Sequence, residues 1–389
     1  MKKYVAVLLT VFALFSSVYA AETFEHTKII DEYTKIYGEE ISRGMSADME
    51  GDIRTVMPEF SVDQLLKEVT RGNSIFSAGE ILSRLLELLL GEIRRTIKLL
   101  VFIPAIAMLN TYISGMDSGF NSKGAISAAF FVTYAVMAEI AATAFIETVR
   151  CGQEAIQNIA LFMRGLVPVA LASLATSGAV ISATTFEIAL MSVIEITELA
   201  VEKLFLPLVM MSAALNIANN ISKNLNAGKL VQLINRTVKW GIGIMMTVFV
   251  GITGLQGIAS GSADGLTVKV TKFAASNLIP MVGGILAETV ETVMNCSVVI
   301  KNAIGVIGIV TVIILAVLPV VKVAACLIIF RICAAVIQPI SDERCGNCVS
   351  ELGDSVSAVL GMITAVVVMF VIILTIIINI GNSAVLLGR

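Results

Sequence analysis

Four acidic side chains are spaced so that a single helix would carry them on one side. If residues 186–203 are helical, Glu187, Glu195, Glu198 and Glu202 fall within about 80° of arc. Carboxylates grouped in this way hold water and cations, so they would form the wall of an aqueous passage or a docking surface for a basic partner. The alternative is an amphipathic helix at a membrane surface with its acids in water.

The stretch from residue 266 to residue 302 predicts a break between two short amphipathic helices. The break falls at Pro280, Gly283 and Gly284, because proline removes a backbone donor and glycine disfavours a helix. At membrane depth, irregular backbone is tolerated only where protein or a water-filled cavity satisfies it. We interpret this stretch as a re-entrant or cavity-lining element, and a surface helical hairpin is the alternative. The polar residues after the break share one helical face: Glu288, Glu291, Asn295 and Asn302.

Two further charges, Glu139 and Arg331, fall inside apolar stretches. A charge at the centre of a membrane helix costs on the order of 3 kcal/mol on insertion scales, so both should face the bundle interior or water. A structural pairing of the two and a place in a conduit are equally compatible with the sequence.

Enzymatic and metal chemistry find little support in this chain. His26 is the only histidine, which argues against a histidine-rich metal site and a Ser-His-Asp triad. Cys345 and Cys348 form a lone CxxC in a predicted polar loop, whereas a structural zinc site needs four ligands. We interpret that pair as a plain turn or a structural disulfide, and we expect no catalytic residue, metal or cofactor.

The composition indicates which elements position these residues. Of the 389 residues, 57% are hydrophobic and 15% are charged, and the mean hydropathy is +0.91. Repeated apolar runs of about 20 residues predict membrane helices. We therefore expect an all-α, polytopic integral membrane bundle of six to eight spans. The predicted spans are 97–113, 125–146, 166–183, 204–218, 238–260, 303–321, 323–337 and 359–380, with a tight hairpin at Pro319 and Lys322.

The N-terminal part of the chain is organised differently. Residues 1–21 have the charged start, short apolar run and small-residue end of a signal peptide, although an uncleaved anchor is the alternative. Residues 22–95 form a polar, helical and extracytoplasmic segment, and 96–389 form the membrane domain. A capping box at Ser77 and Glu80 predicts a helix that continues directly into the first span.

A cluster of basic residues gives a partial indication of orientation. Lys223, Lys229, Arg236 and Lys239 precede Trp240, and the positive-inside rule places such a loop in the cytoplasm. Strict alternation from a cleaved signal peptide would place the same loop outside, so both orientations are compatible with the sequence.

Three stretches resemble the stage III sporulation protein AE family. They are KFAASNLIPMVGG at residues 272–284, KNA at 301–303 and AAVIQP at 334–339. The signal peptide, the polar segment and the multispan remainder also agree, so the resemblance covers nearly the whole chain. Cys345 and Cys348 do not match the family pattern.

The resemblance implies a multi-pass protein of the mother-cell membrane that surrounds the forespore. It implies membership of an eight-protein, secretion-like assembly that, with a forespore partner protein across the intermembrane space, forms a channel or feeding conduit. That conduit supports late forespore gene expression, and other subunits supply the ATPase and the rings. Two rival hypotheses are a self-contained secondary transporter with its substrate site at Pro280 and an intramembrane enzyme. Nucleic-acid binding is not expected, because the chain has no basic stripe.

Overall fold

Every element of the described chain is helical. The computed structural model describes residues 49, 51, 53, 54, 78–115, 123–221, 227–278 and 283–388. No strand occurs among these residues, which confirms the all-α prediction. The predicted signal peptide, the Pro280 position and most of the polar segment lie outside the described residues. The elements are α1 (Ala78–Gly115), α2 (Lys123–Thr176), α3 (Val180–Ala200), a π-helical turn (Val201–Phe205), α4 (Leu206–Ile221), α5 (Gly228–Leu278), α6 (Gly283–Ile337) and α7 (Glu343–Gly388).

The centre of the bundle is an antiparallel hairpin of α6 and α7. Near the connecting turn, Arg331 Nη2 donates to Asp354 Oδ1 at 2.5 Å. At the far end, Lys301 Nζ donates to the Ile378 carbonyl at 2.6 Å. In their most apolar windows, most α6 side chains are buried, whereas most α1 and α5 side chains are not. The most apolar part of the sequence therefore forms the core of the bundle.

Helix α2 packs antiparallel along α6 and completes the centre. Thr148 Oγ1 donates to Cys326 Sγ at 3.1 Å. About five turns further along α2, Leu166 contacts the backbone of Gly308. Two contacts so far apart fix the register of the two helices. Glycine allows this close approach, because in lipid helices associate through tight packing of small residues.

Six helical segments are long and apolar enough to cross a membrane, by length and composition, among the described residues. This agrees with the expected six to eight spans. They are Leu86–Ile113, Ala128–Thr176, Val180–Ile221, Gly228–Gly254, Met294–Ile337 and Glu343–Ile380.

The division into eight separate spans was wrong at two places. The segments 303–321 and 323–337 belong to one helix, α6, and no hairpin forms at Pro319 and Lys322. Likewise, α2 joins 125–146 to the first part of the predicted 166–183 span. A proline removes only one backbone hydrogen bond, and packing of α6 on α7 and α2 keeps the helix continuous.

A turn at residues 177–179 divides the predicted 166–183 span between α2 and α3. Gly178 has a φ of 96°, a left-handed conformation that glycine adopts without steric cost. The Gly178 amide donates to the Ala175 carbonyl at 3.0 Å, and the Ala179 amide to the Leu174 carbonyl at 3.3 Å. These bonds satisfy the last carbonyls of α2, so the helix ends there.

Helix α1 joins the end of the predicted polar segment to the first span. The capping box at Ser77 and Glu80 predicts such a helix, and α1 runs without interruption from Ala78 to Gly115 with Pro104 inside it. The predicted continuation of this helix into the first span is confirmed. The predicted boundary at residue 95 consequently falls inside a single helix.

Replacing Gly308 with leucine tests the central packing. A Cβ at this position meets Leu166 of α2 and lies 3.1 Å from Leu374 Cδ1 of α7. Overpacking of this kind costs about 1–3 kcal/mol, so we expect Gly308→Leu to lower the thermal unfolding temperature of the detergent-purified protein. The matched control is Gly251→Leu, because a Cβ built there meets no atom within 4 Å. Equal unfolding temperatures for the two variants would contradict the α2–α6–α7 register.

Candidate functional site

The four predicted carboxylates on α3 and the π-helical turn do not share one environment. Glu187 and Glu195 are exposed, whereas Glu198 and Glu202 are half-buried against α2. The predicted stripe is therefore divided into an exposed pair and an inward pair.

The inward pair makes polar contacts across the α2–α3 boundary. Arg164 of α2 forms an ion pair with Glu198. Gln153 Nε2 donates to Glu202 Oε1 at 3.4 Å, and Lys203 Nζ lies 3.2 Å from the same oxygen. We call these residues, Gln153, Arg164, Glu198, Glu202 and Lys203, the charged seam.

A π-helical turn shapes the seam at Glu202. Residues Val201–Phe205 form this wider turn between α3 and α4, a distortion that is rare and often found at functional sites. It combines two different contacts within four residues. Glu202 bonds to α2, while Phe205 is buried and packs on α5, where its ring carbon Cε1 would lie 2.6 Å from a Cβ on Gly241. The turn thus fixes the seam between two neighbouring helices.

The helix register sets the level of the seam along the bundle. From the contacts of Thr148 with Cys326 and of Leu166 with Gly308, Gln153 and Arg164 of α2 lie level with about residues 321 and 310 of α6, at one residue per about 1.5 Å of rise. The α6 stretch 303–321 is uncharged and apolar. Charged side chains on α2 and α3 therefore lie beside the most apolar part of the core.

The predicted break near Pro280 lies outside the described residues, and the helices described on either side of it are long and not short. Helix α5 ends at Leu278 and α6 begins at Gly283, followed by Gly284. Both helices exceed 50 residues, because their apolar parts continue into the bundle. The two amphipathic stretches predicted from the sequence are therefore the C-terminal end of α5 and the N-terminal end of α6.

The polar residues after the break lie in the N-terminal part of α6, up to Asn302. Glu288 and Glu291 belong to this part of the helix backbone, and Asn295 is half-buried one turn further on. Asn302 Oδ1 is buried and has no hydrogen-bond partner among the described residues. Whether this face lines a cavity stays a prediction.

Glu139 and Arg331 are both exposed on the bundle surface, so the proposed pairing between them was wrong. Arg331 instead pairs with Asp354, which lies opposite it on α7 in the α6–α7 hairpin. Neither charge lies in the bundle interior, so a position in water, the other expected environment, stays a prediction. Helices of 54 and 55 residues are about 80 Å long, whereas the hydrocarbon core is about 30 Å thick, so charges on them have room outside it.

A second polar cluster surrounds Cys345 and Cys348, and the sequence interpretation missed it. Both thiols are free and fully buried, in the first two turns of α7 and not in a loop. Asn110 Nδ2 of α1 donates to Cys345 Sγ at 3.4 Å, and Thr133 Oγ1 of α2 donates to Asn110 Oδ1 at 2.6 Å.

Tyr134 extends this cluster to α4. Its hydroxyl donates to the Ile217 carbonyl at 3.1 Å and lies near the buried Cys348 thiol. The cluster therefore joins α1, α2, α4 and α7 through buried polar contacts. The available signal was a polar asparagine and a threonine inside apolar spans. That signal does not identify the partner of Asn110, because Cys345 is more than 200 residues away in sequence.

Fold and seam together define a multi-pass helical membrane protein whose core is flanked by interhelical polar contacts. The sequence model of the family described as "Stage III sporulation protein AE" matches residues 60–381, and the chain belongs to this family. A curated relative, Stage III sporulation protein AE of Bacillus subtilis (strain 168), is 27% identical over 367 residues, which cover 93% of this chain and 92% of the relative. No solved structure matches the chain. The family resemblance read from residues 272–284 is thereby confirmed.

Removing the Tyr134 hydroxyl tests whether the thiol cluster stabilises the bundle. Tyr134→Phe removes the hydrogen bond from α2 to the Ile217 carbonyl of α4, and a hydrogen bond of this kind contributes about 0.5–1.5 kcal/mol. We expect a lower thermal unfolding temperature for the purified protein. Tyr112→Phe is the matched control, because the Tyr112 side chain is 71% exposed. A Tyr134→Phe protein as stable as this control would show that the cluster does not hold the helices together.

Proposed function

We propose that this sporulation protein is a non-enzymatic membrane subunit of the conduit between mother cell and forespore. In this proposal the chain lies in the mother-cell membrane around the forespore and forms part of the path through that membrane. Its partners are the other stage III sporulation proteins, among them an ATPase subunit and ring-forming subunits, and a forespore protein across the intermembrane space. Family membership supports the role in sporulation, and the charged seam supports the conduit.

One observation carries the proposal: the seam lies level with the uncharged α6 stretch 303–321. That stretch has about the length needed to cross the hydrocarbon core once. If it lies at membrane depth, Arg164, Glu198 and Glu202 lie at the same depth on the adjacent helices. Ionised groups at that depth mark ion or substrate pathways and face a bundle interior or a water-filled cavity.

The contacts within the seam suit a wall that faces water on one side. Glu198 and Glu202 each have a partner on α2 but stay half-buried instead of enclosed. A fully enclosed ion pair would lose its hydration entirely, which costs several kcal/mol per ion. A half-exposed pair keeps part of its hydration, and a seam of such pairs provides a polar surface along which solutes move without strong binding.

The seam test uses two double variants in α3 and the π-helical turn that follows it. Glu198→Gln with Glu202→Gln removes the seam carboxylates, and we expect the yield of heat-resistant spores to fall toward that of a deletion strain. Glu187→Gln with Glu195→Gln makes the same change in charge at exposed positions and should leave the yield unchanged. Immunoblots of membrane fractions must show normal abundance of both proteins.

The readout also includes a reporter of late gene expression in the forespore. Loss of reporter signal after engulfment in the seam variant, and not in the control, is the expected result. Normal spores from the seam variant, or equal losses in the two variants, would contradict the proposal.

A further inference from the structure

Helix α5 carries an exposed face that changes from basic to apolar along its length. Lys229, Arg236 and Lys239 are exposed at its N-terminal end. Trp240 follows and is 67% exposed. From residue 241 to residue 254 the exposed residues are small or apolar, among them Gly243 and Ile244. This order, from cations through an aromatic ring to aliphatic side chains, matches the change from lipid headgroups to acyl chains across a membrane interface.

A shallow groove of about 460 Å³ lies on this face, lined by Lys239, Trp240, Gly243, Ile244, Thr247 and Val248. Its floor is open because Gly243 has no side chain, and a Cβ built there would meet no atom within 4 Å. The groove has one cationic end and one apolar end within a single segment that is long and apolar enough to cross a membrane.

We propose that this groove binds an anionic glycerophospholipid of the surrounding bilayer. The phosphate and the acidic headgroup pair with Lys239 and Arg236, and one acyl chain lies over Gly243 between Trp240 and Ile244. Basic side chains near a bilayer attract anionic lipids strongly. The opposite face of α5 is already occupied, because Gly241 packs against Phe205 of the π-helical turn. A lipid in the groove would therefore press α5 onto the turn that holds the charged seam.

Charge complementarity favours a lipid over a second copy of this chain as the occupant. If a second copy packed with the same face, its Lys229, Arg236 and Lys239 would lie against the same three residues of the first copy. Like charges in an interface repel each other. An anionic headgroup instead neutralises them. The inference does not depend on the conduit proposal, since it requires only that α5 crosses a membrane.

Fluorescence of the intact chain tests the inference directly, because Trp240 is the only tryptophan in the sequence. The full-length protein is reconstituted in bilayers that contain phosphatidylglycerol and phosphatidylcholine, with bromine on the acyl chains of one lipid at a time. At equal mole fractions, we expect brominated phosphatidylglycerol to quench Trp240 several-fold more effectively than brominated phosphatidylcholine. High salt should weaken this preference.

Variants separate the headgroup contact from the groove. Arg236→Gln and Lys239→Gln should each lower the preference for phosphatidylglycerol by about fivefold, the value for one basic residue near a surface. Lys322→Gln, an exposed lysine on α6, is the matched control and should leave the preference intact. Gly243→Leu fills the groove without a clash and should lower quenching by phosphatidylglycerol while all basic residues remain.

Two results with the unmodified chain would overturn the inference without reliance on any variant. Equal quenching by the two lipids would mean that Trp240 contacts only bulk bilayer. Quenching by neither lipid would mean that protein, such as a second copy of the chain, covers the groove. Spore yield is not used as the readout, so failure here leaves the conduit proposal standing.

Discussion

The tight antiparallel association of α6 with α7 and α2 is the constraint on which the rest of the structure depends. Helices in lipid gain little from hydrophobic burial, so they associate through close packing and polar contacts. Gly305 and Gly308 allow that packing, against Ile378 and Leu166 respectively. The polar contacts at the two ends of the hairpin, made by Lys301 and by Arg331, keep the same register.

That register determines the level of the charged seam along α6. The acidic residues of α3 alone would suit a helix on any wet surface, but their partners Gln153 and Arg164 lie on a helix whose position against α6 is fixed. The π-helical turn then allows Glu202 to reach α2 while Phe205 anchors α5. The register of α2 on α6, the π-helical turn and the contacts of Gln153 and Arg164 together place one polar surface beside the apolar core.

The sequence was sufficient for features with local causes. Composition predicts the all-α membrane bundle, and the helical spacing of leucines after Glu80 predicts that α1 continues into the first span. Features that depend on distant partners were missed or wrong. Lys322 with Pro319 has the local pattern of a turn, yet packing on α7 and α2 keeps α6 continuous. The buried environment of Cys345 depends on Asn110, which periodicity does not reveal.

The central claim is that the seam faces water at membrane depth, and cysteine accessibility tests it most directly. Single cysteines replace Glu198, on the seam, or Ile196, which is 61% exposed on another face of α3, in a Cys151→Ser background. The account predicts that a charged, membrane-impermeant thiol reagent modifies position 198 in proteoliposomes and leaves position 196, in contact with lipid, unmodified. Equal modification of both positions would place α3 at a membrane surface, and protection of position 198 would exclude a water-filled path; either result contradicts the account.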